Sequence, residues 1–417
     1  MNINRPIYLN KLIDRKHNGM IKVVTGMRRS GKSYLLFTLF HNHLKKEGID
    51  EKHIIKVDLE DRRNKALRSP DALLEYIDSK IKDKKIHYII LDEVQLVSEF
   101  EDVLNSFLKK ENTDVYVTGS NAKFLSKDVI TEFRGRGDEI RIHPLRFSEF
   151  LSVYAGEDKT SALMEYMTFG GLPQIVSMKT SQQKEEYLKG LFINTYLSDI
   201  KDRYKIKDDD DLEELINIIA SAIGGLLNPL KLQNTFKSVK KSNITSGTIK
   251  NYLEYLQDAF LIEKSDRYDI KGKKYISTPS KYYFADLGLR NARINFRQIE
   301  ESHLMENLIY NELRTMGYSV DVGQVIFNTK DKSGVSKRSQ LEVDFVCNMG
   351  FKRFYIQSAL NISSKLKAEQ ELKSLLQIKD NFKKIVIVGG LTPTYQNEEG
   401  VLIMNIFDFL KMDKLPD

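Results

Sequence analysis

The sequence GMRRSGKS occupies residues 26–33 and matches the complete phosphate-binding pattern G-x-x-x-x-G-K-[ST]. An apolar run rich in β-branched residues precedes it at residues 21–25, and a leucine- and phenylalanine-rich run follows it at residues 34–40. A strand, a glycine-rich loop and a helix, in this order, are the context in which the pattern binds nucleotide phosphates. The stretch therefore predicts an α/β fold built on a P-loop.

The loop predicts a site for ATP and Mg²⁺. Its two glycines allow a tight turn, so that backbone N–H groups and the positive end of the next helix converge on one anion. Lys32 is expected to reach the β- and γ-phosphates, and the Ser33 hydroxyl to ligate Mg²⁺. The expected binding residues are Gly26, Arg29, Ser30, Gly31, Lys32, Ser33 and Tyr34.

A second motif lies at residues 86–93, IHYIILDE, where an apolar run ends in two carboxylates. A central strand of a parallel sheet is buried on both faces and reads as continuous apolar sequence. The pattern predicts a Walker B strand in which Asp92 holds Mg²⁺ and Glu93 polarises the attacking water. Alone, the same residues would also fit a strand followed by a solvated acidic turn.

Two further positions are candidates for catalysis. The run at residues 115–121, VYVTGSN, ends near where P-loop ATPases with an extra central strand carry a polar sensor, for which Asn121 is preferred over Ser120 and Thr118. Arg136, or otherwise Arg134, is placed to act on the nucleotide of a neighbouring subunit. The alternatives are a turn that closes a strand and two surface arginines.

Together with these motifs, the stretch at residues 135–150 resembles a prokaryotic family of AAA+-type ATPases that carry a C-terminal domain of unknown function. Blocks at residues 169–173, 306–313, 342–346 and 355–358 resemble the same family, so the resemblance spans nearly the whole chain. It implies an AAA+-type P-loop NTPase with a parallel sheet and a nucleotide near the interface of a homo-oligomer.

The composition is that of a globular protein with several domains. The chain has 417 residues, of which 41% are hydrophobic and 29% charged, and this length exceeds one comfortable core. The patterns predict an ATPase domain at 1–150, a helical region at 151–205, a winged helix–turn–helix at 206–298 and an α/β domain at 299–417. A lone cysteine, Cys347, and the lack of a signal peptide or membrane-length apolar run indicate the cytoplasm.

The expected winged helix is basic. Residues 229–297 contain 14 lysines and arginines against 6 acids, an excess of eight, whereas the whole chain carries +7. A basic helix and wing are typical of contacts with a phosphate backbone, which makes double-stranded DNA a possible partner. A winged helix that binds another protein remains the alternative.

The last domain resembles a restriction-endonuclease-like core, with Glu306 or Glu312 on a helix and Asp344 on a strand. Nucleases of this kind need an acid and a lysine on the following strand to hold Mg²⁺ and activate water. Here those positions carry Gln357 and Ala359. The sequence thus predicts an ATPase whose nuclease-like domain has lost cleavage. The alternative hypotheses are a slow ATP-gated switch that binds DNA or a protein, and an active nuclease.

Overall fold

The apolar run before the phosphate-binding loop forms the strand β1 (Ile21–Thr25) in the computed structural model. The structure describes residues 3–119, 133, 135–156, 158–207, 209–297, 300–330 and 336–416. These residues form two compact units, Met1–Pro144 and Leu145–Asp417. The first unit thus ends six residues before the boundary expected at residue 150.

The first unit contains a parallel sheet, within the described residues, whose other strands are β2 (Ile54–Asp58), β3 (His87–Asp92), β4 (Thr113–Thr118) and β5 (Gly137–Arg141). The order across the sheet is β2-β3-β4-β1-β5. β4 therefore separates the strand before the P-loop from the strand that ends in Asp92. This arrangement confirms the predicted α/β fold with an extra central strand.

Both faces of this sheet are covered, because β1 and β3 are buried along their whole length. One apolar cluster contains Val23, Ile89 and Val117, and the other contains Val24, Ile90 and Tyr116. Successive side chains of a strand point to opposite faces, so continuous apolar runs fill two cores. The α-helices of this unit are Pro6–Ile13, Lys32–Tyr34, His41–Lys46, Pro70–Lys80 and Phe100–Leu108, and the π-helical turn Leu35–Phe40 joins the second to the third.

The second unit contains a mixed sheet, in the described part of the chain, with the order β13-β14-β12-β11-β10-β9-β7-β8-β6. Its strands are β6 (Leu226–Leu227), β7 (Ile262–Asp269), β8 (Lys274–Phe284), β9 (Ser319–Lys330), β10 (Ser336–Met349), β11 (Lys352–Ala359), β12 (Lys383–Val388), β13 (Tyr395–Gln396) and β14 (Leu402–Asn405). Its α-helices are Phe147–Leu151, Lys159–Phe169, Ser181–Leu191, Ser198–Tyr204, Asp210–Ser221, Pro229–Thr235, Ser246–Asp258, Leu287–Arg293, Glu301–Thr315, Lys365–Leu376 and Ile406–Leu410. None of the helices in the described residues is both long and apolar enough to cross a membrane.

The order of elements from residue 210 to residue 284 is helix, short strand, two helices and a two-stranded hairpin. A winged helix has this order. The hairpin, however, is not a separate wing, because β7 also pairs in parallel with β9. The segments expected as two domains, 206–298 and 299–417, therefore share one sheet, and the winged helix remains a prediction.

The FGGLP block at residues 169–173 has a packing role inside the second unit. The carboxylate of Asp286 accepts hydrogen bonds from the backbone N–H groups of Gly171 (2.8 Å) and Leu289 (3.0 Å). Gly170 has a φ of 77°, and a Cβ there would lie 2.3 Å from the Asp286 carboxylate. Only glycine fits this position, so the block joins the end of one helix to the start of another.

Candidate functional site

The phosphate-binding loop connects β1 to the helix that begins at Lys32, at the carboxyl edge of the first sheet. Gly26, Arg29 and Gly31 have φ values of 135°, 61° and 97°, which wrap the backbone around the loop centre. A Cβ on Gly26 would lie 2.2 Å from the carbonyl oxygen of Ile142, so this position requires glycine. The first amides of a helix have no partner inside it and can face an anion.

Lys32 lies inside the loop. Its ammonium donates hydrogen bonds to the carbonyl oxygens of Gly26 (3.1 Å) and Met27 (3.0 Å). Burial lowers the pKa of Lys32, whereas the nearby carboxylates of Glu93 and Asp92 raise it. The lysine is therefore held at the mouth of the loop, close to the two acids of the second motif.

Asp92 ends β3 and is buried beside the loop. The Thr118 hydroxyl, at the end of the adjacent β4, donates a hydrogen bond to its carboxylate. Burial raises the pKa of Asp92, and the hydrogen bonds from Thr118 and then Ser33 oppose this rise. Asp92 and Ser33 are oxygen donors, which Mg²⁺ prefers, and their contact fits the expected metal site.

Glu93 follows Asp92 in a left-handed backbone conformation, with a φ of 52° and a ψ of 49°. Its backbone N–H donates to the Thr118 hydroxyl (2.8 Å), and its carboxylate accepts a hydrogen bond from the Gln95 amide. Positive φ values are unfavourable for residues with a side chain and are often retained at functional sites. The turn directs two consecutive acids into different environments, one buried and one half-exposed.

Arg5 supports the loop from behind, a contact that the sequence did not indicate. Its buried guanidinium donates hydrogen bonds to the carbonyl oxygens of Ser30 (2.8 Å), His143 (2.9 Å) and Pro144 (3.0 Å). Ser30 in turn donates to the carbonyl oxygen of Met27 (2.8 Å). These bonds tie the loop to the segment after β5. A lone arginine before a helix gives no sequence signal for this role.

Arg136 lies at the opposite edge of the same sheet. Its carbonyl oxygen accepts a hydrogen bond from the backbone N–H of Ile21 (2.8 Å), at the start of β1, and its side chain is exposed. The five residues of β1 separate this edge from the loop by about 16 Å. The other residues predicted as a sensor or as an arginine acting in trans, Ser120, Asn121 and Arg134, lie outside the described residues.

The second unit contains a buried cluster of charges around Glu306. Its carboxylate accepts hydrogen bonds from Lys281 (2.9 Å) and from the Tyr283 hydroxyl (2.7 Å), and Lys281 also pairs with Glu342 (2.7 Å). Burial, and then Glu306, raise the pKa of Asp344, whereas Lys281 lowers it. Lys281 is therefore the cation beside the acids from which the sequence predicts a degenerate nuclease-like site, and it lies on a different strand from Ala359.

The remaining nuclease-like positions have structural contacts. Gln357 accepts a long hydrogen bond from the Asp344 N–H (3.4 Å), and the Ser358 N–H donates to the Asp344 carboxylate (2.8 Å). Glu312, the alternative to Glu306, instead pairs with Arg146 (2.7 Å) and accepts from the Phe147 N–H. The structure therefore distinguishes the two glutamates, which the sequence did not.

Only part of the basic charge at residues 229–297 is available to a partner. Lys281 and Arg290 are buried, and Arg293 pairs with Glu213. Exposed lysines of this segment are Lys231, Lys237, Lys240, Lys241, Lys250, Lys264, Lys271, Lys273 and Lys274. The last three surround the tip of the β7–β8 hairpin.

Two family models match the chain. Residues 18–151 match an AAA domain, and residues 160–300 match a domain of unknown function. A solved structure of a DNA polymerase III gamma subunit-related protein from Thermotoga maritima aligns with 60% of this chain and 96% of its own, at 10% identity and a TM-score of 0.28. This similarity is too weak to carry an argument.

Two relatives have sequences similar to nearly the whole chain. An uncharacterized protein from Haemophilus influenzae is 35% identical over 98% of both chains. The uncharacterized protein MJ1544 from Methanocaldococcus jannaschii is 31% identical over 89% of this chain and 80% of its own. The chain therefore belongs to their family, which is of the AAA+ P-loop type and joins an AAA domain to a C-terminal domain of unknown function.

Proposed function

We propose that the protein is a cytoplasmic, Mg²⁺-dependent ATPase. The proposal rests on one observation: Lys32, Asp92, Glu93 and Thr118 come together at the carboxyl edge of the parallel sheet. In open α/β sheets, ligands bind at this edge. Membership of a family with an AAA domain supports nucleotide binding in the same place.

Each residue has a role that follows from its environment. Lys32 neutralises the β- and γ-phosphates, while Ser33 and Asp92 hold Mg²⁺, which neutralises charge on the transferred phosphoryl group. Glu93 orients the attacking water and takes up its proton. Glu93 is half-exposed, and the hydrogen bond that its carboxylate accepts from Gln95 must be released before it binds the water.

Binding is tested with Lys32→Ala and a fluorescent ATP analogue. Loss of a charge-assisted contact of about 1.5–3 kcal/mol should weaken binding by roughly 10- to 150-fold. The control is Lys46→Ala, because Lys46 is exposed. Lys22→Ala would not serve, because Lys22 forms a buried ion pair with Asp114. Equal affinity of Lys32→Ala and wild type would contradict the assignment of the site.

The protein acts as a homo-oligomer in this proposal. Arg136 is about 16 Å from its own loop, so it can stabilise a transferred phosphoryl group only on another subunit. Such an arginine contributes a large rate factor in related P-loop enzymes. Asn121 remains the preferred polar sensor near the γ-phosphate.

The output of the ATPase cycle is a change in how the C-terminal region engages double-stranded DNA. The exposed lysines at the hairpin tip support this proposal, because phosphate neutralisation dominates DNA affinity. A slow ATP-gated switch that binds DNA or a protein is the second candidate, and the bond between Glu93 and Gln95 favours it by occupying the base. Steady-state turnover supports the ATPase, whereas stoichiometric nucleotide that stays bound supports the switch.

Cleavage of DNA is not part of the proposed function. The nuclease-like site lacks an acid at Gln357 and a lysine at Ala359, and Lys281 already neutralises Glu306 and Glu342. A resident ammonium competes with a metal ion for these carboxylates. Incubation of the protein with DNA and Mg²⁺ or Mn²⁺ should yield no cleavage products.

A further inference from the structure

Three metal-ligand side chains meet at the other edge of the first sheet, away from the phosphate-binding loop. His53 directly precedes β2, His87 begins β3, and Asp83 lies in the segment that leads into β3. One ligand atom from each lies within 4.8 Å of the other two. Among the residues that the structure describes, no other group of three or more such side chains has its ligand atoms this close together.

His87 has the tautomer that a metal requires. Its Nδ1 lies 2.8 Å from the carbonyl oxygen of Lys85. A carbonyl oxygen only accepts, so in the neutral ring Nδ1 carries the proton and Nε2 carries the lone pair. Metal-binding histidines almost always donate their second nitrogen in this way, which fixes the ring. The structure gives Nε2 no hydrogen-bond partner among the described residues.

Asp83 and His53 are also held in place. The Asp83 carboxylate accepts from His53 Nε2 (2.9 Å) and from the Lys85 N–H (2.9 Å), and the Asp83 carbonyl oxygen accepts from Asn112 (3.0 Å). Both histidine rings are buried, with 4% and 1% of their surface exposed.

From this geometry we propose that His53, Asp83 and His87 form a binding site for a divalent transition-metal ion, Zn²⁺ in particular. Two imidazoles and one carboxylate suit Zn²⁺, whereas Mg²⁺ prefers oxygen ligands alone. Ligand atoms about 2.1 Å from a tetrahedral Zn²⁺ are about 3.4 Å apart. A metal ion between His53 and Asp83 displaces the proton of their hydrogen bond to solvent, and their 2.9 Å distance widens to this value. The other distances between ligand atoms are at most 4.8 Å and close toward it.

An ordinary histidine–aspartate hydrogen bond would account for His53 and Asp83, and the edge-to-face contact of the two rings, with centroids 4.9 Å apart, for the packing of His87. Neither contact uses the lone pair on His87 Nε2. Lys52 also approaches Asp83, at 3.8 Å, but its side chain is 63% exposed and can move into solvent. The side chain of Asp83 is 37% exposed, so a metal ion can enter from that side and keep a water as its fourth ligand.

The bound metal ion would cross-link two connections at one edge of the sheet. β3 runs from His87 to Asp92, so the metal would lie about 16 Å from the Mg²⁺ ligand at the other end of the strand. It would join the turn before β2 to the segment before β3, two connections that are otherwise held by hydrogen bonds. Its role is therefore in stability rather than in hydrolysis.

The test uses the full-length protein, stripped with a chelator and titrated with ZnCl₂ alone by calorimetry. We expect one equivalent to bind the wild type, and Asp83→Asn and His87→Asn to weaken binding by at least about 10- to 100-fold, since even outer-shell partners cost that much. His303→Asn is the matched control, because His303 also lies beside a carboxylate, that of Glu300 at 3.2 Å. It should bind as the wild type does.

Thermal unfolding gives a second readout. Zn²⁺ should raise the melting temperature of the wild type and of His303→Asn in a concentration-dependent way, and that of Asp83→Asn much less. If His87→Asn does not fold because His87 is buried, Asp83→Asn still tests the metal site, because the Asp83 side chain is partly exposed. No stoichiometric binding to the wild type would overturn the proposal, and so would binding that Asp83→Asn leaves unchanged.

Discussion

Replacing Thr118 with valine tests how the two acids of the nucleotide site are positioned. The Thr118 hydroxyl donates to the Asp92 carboxylate and accepts from the Glu93 N–H. Valine keeps the shape but removes both bonds. A hydrogen bond to a charged group is worth about 1.5–3 kcal/mol. If this is lost in the transition state, kcat should fall by roughly 10- to 150-fold.

The pH dependence should change in a defined direction. The bond from Thr118 lowers the pKa of Asp92 against the rise that burial causes. Without that bond the pKa of Asp92 rises further. As the pH falls, the carboxylate that holds Mg²⁺ is then protonated at a higher pH than in the wild type. The acidic limb of the ATPase pH profile should therefore move to higher pH in Thr118→Val.

The assay is steady-state phosphate release between pH 5 and 8, with Thr118→Ser as the matched control, because serine retains the hydroxyl. Urea unfolding of both variants separates a local effect on the site from a loss of folded protein. Thr118→Ser should remain near the wild type. A Thr118→Val enzyme with the wild-type kcat and an unshifted acidic limb would refute the reasoning.

Three further outcomes are expected. ATPase activity per subunit should rise with protein concentration, and mixing Arg136→Ala with Lys32→Ala should restore part of it; a rate independent of concentration contradicts an arginine acting in trans. Replacing the three lysines at the hairpin tip should flatten the salt dependence of DNA binding by up to about 2.7 in log–log slope, at about 0.9 per phosphate contact, for all sequences alike; an unchanged slope excludes the tip from the interface. Lys281→Ala should cost about 3–5 kcal/mol in urea unfolding because it leaves buried carboxylates unpaired, whereas Lys264→Ala, which breaks an exposed pair with Asp266, should cost about 1 kcal/mol or less; similar costs would contradict a buried network.

Local sequence patterns were sufficient for the first sheet and for the positions of its main side chains. Apolar runs buried on both faces must be central strands, and a glycine-rich loop after such a strand must lie at its carboxyl end. For this reason the acids at 92 and 93 could be assigned to the same edge as Lys32. Their roles in hydrolysis remain predictions.

Contacts between residues distant in the sequence could not be predicted in this way. Lys281 counted only as one more basic residue, because no pattern shows that β8 lies near the helix of Glu306. Glu306 and Glu312 are equivalent by spacing, and only the pairing of Glu312 with Arg146 separates them. Similarly, charge counting could not tell that Arg290 is buried and unavailable to DNA.

The central claim, hydrolysis of ATP at the P-loop with Glu93 as the base, is tested most directly by the turnover of Glu93→Gln. This variant keeps the size of the side chain and the Thr118 contact of its backbone, so ATP should still bind. Phosphate release should fall by roughly 10²- to 10⁴-fold, the usual contribution of a general base. Wild-type turnover in a folded Glu93→Gln protein would contradict the account.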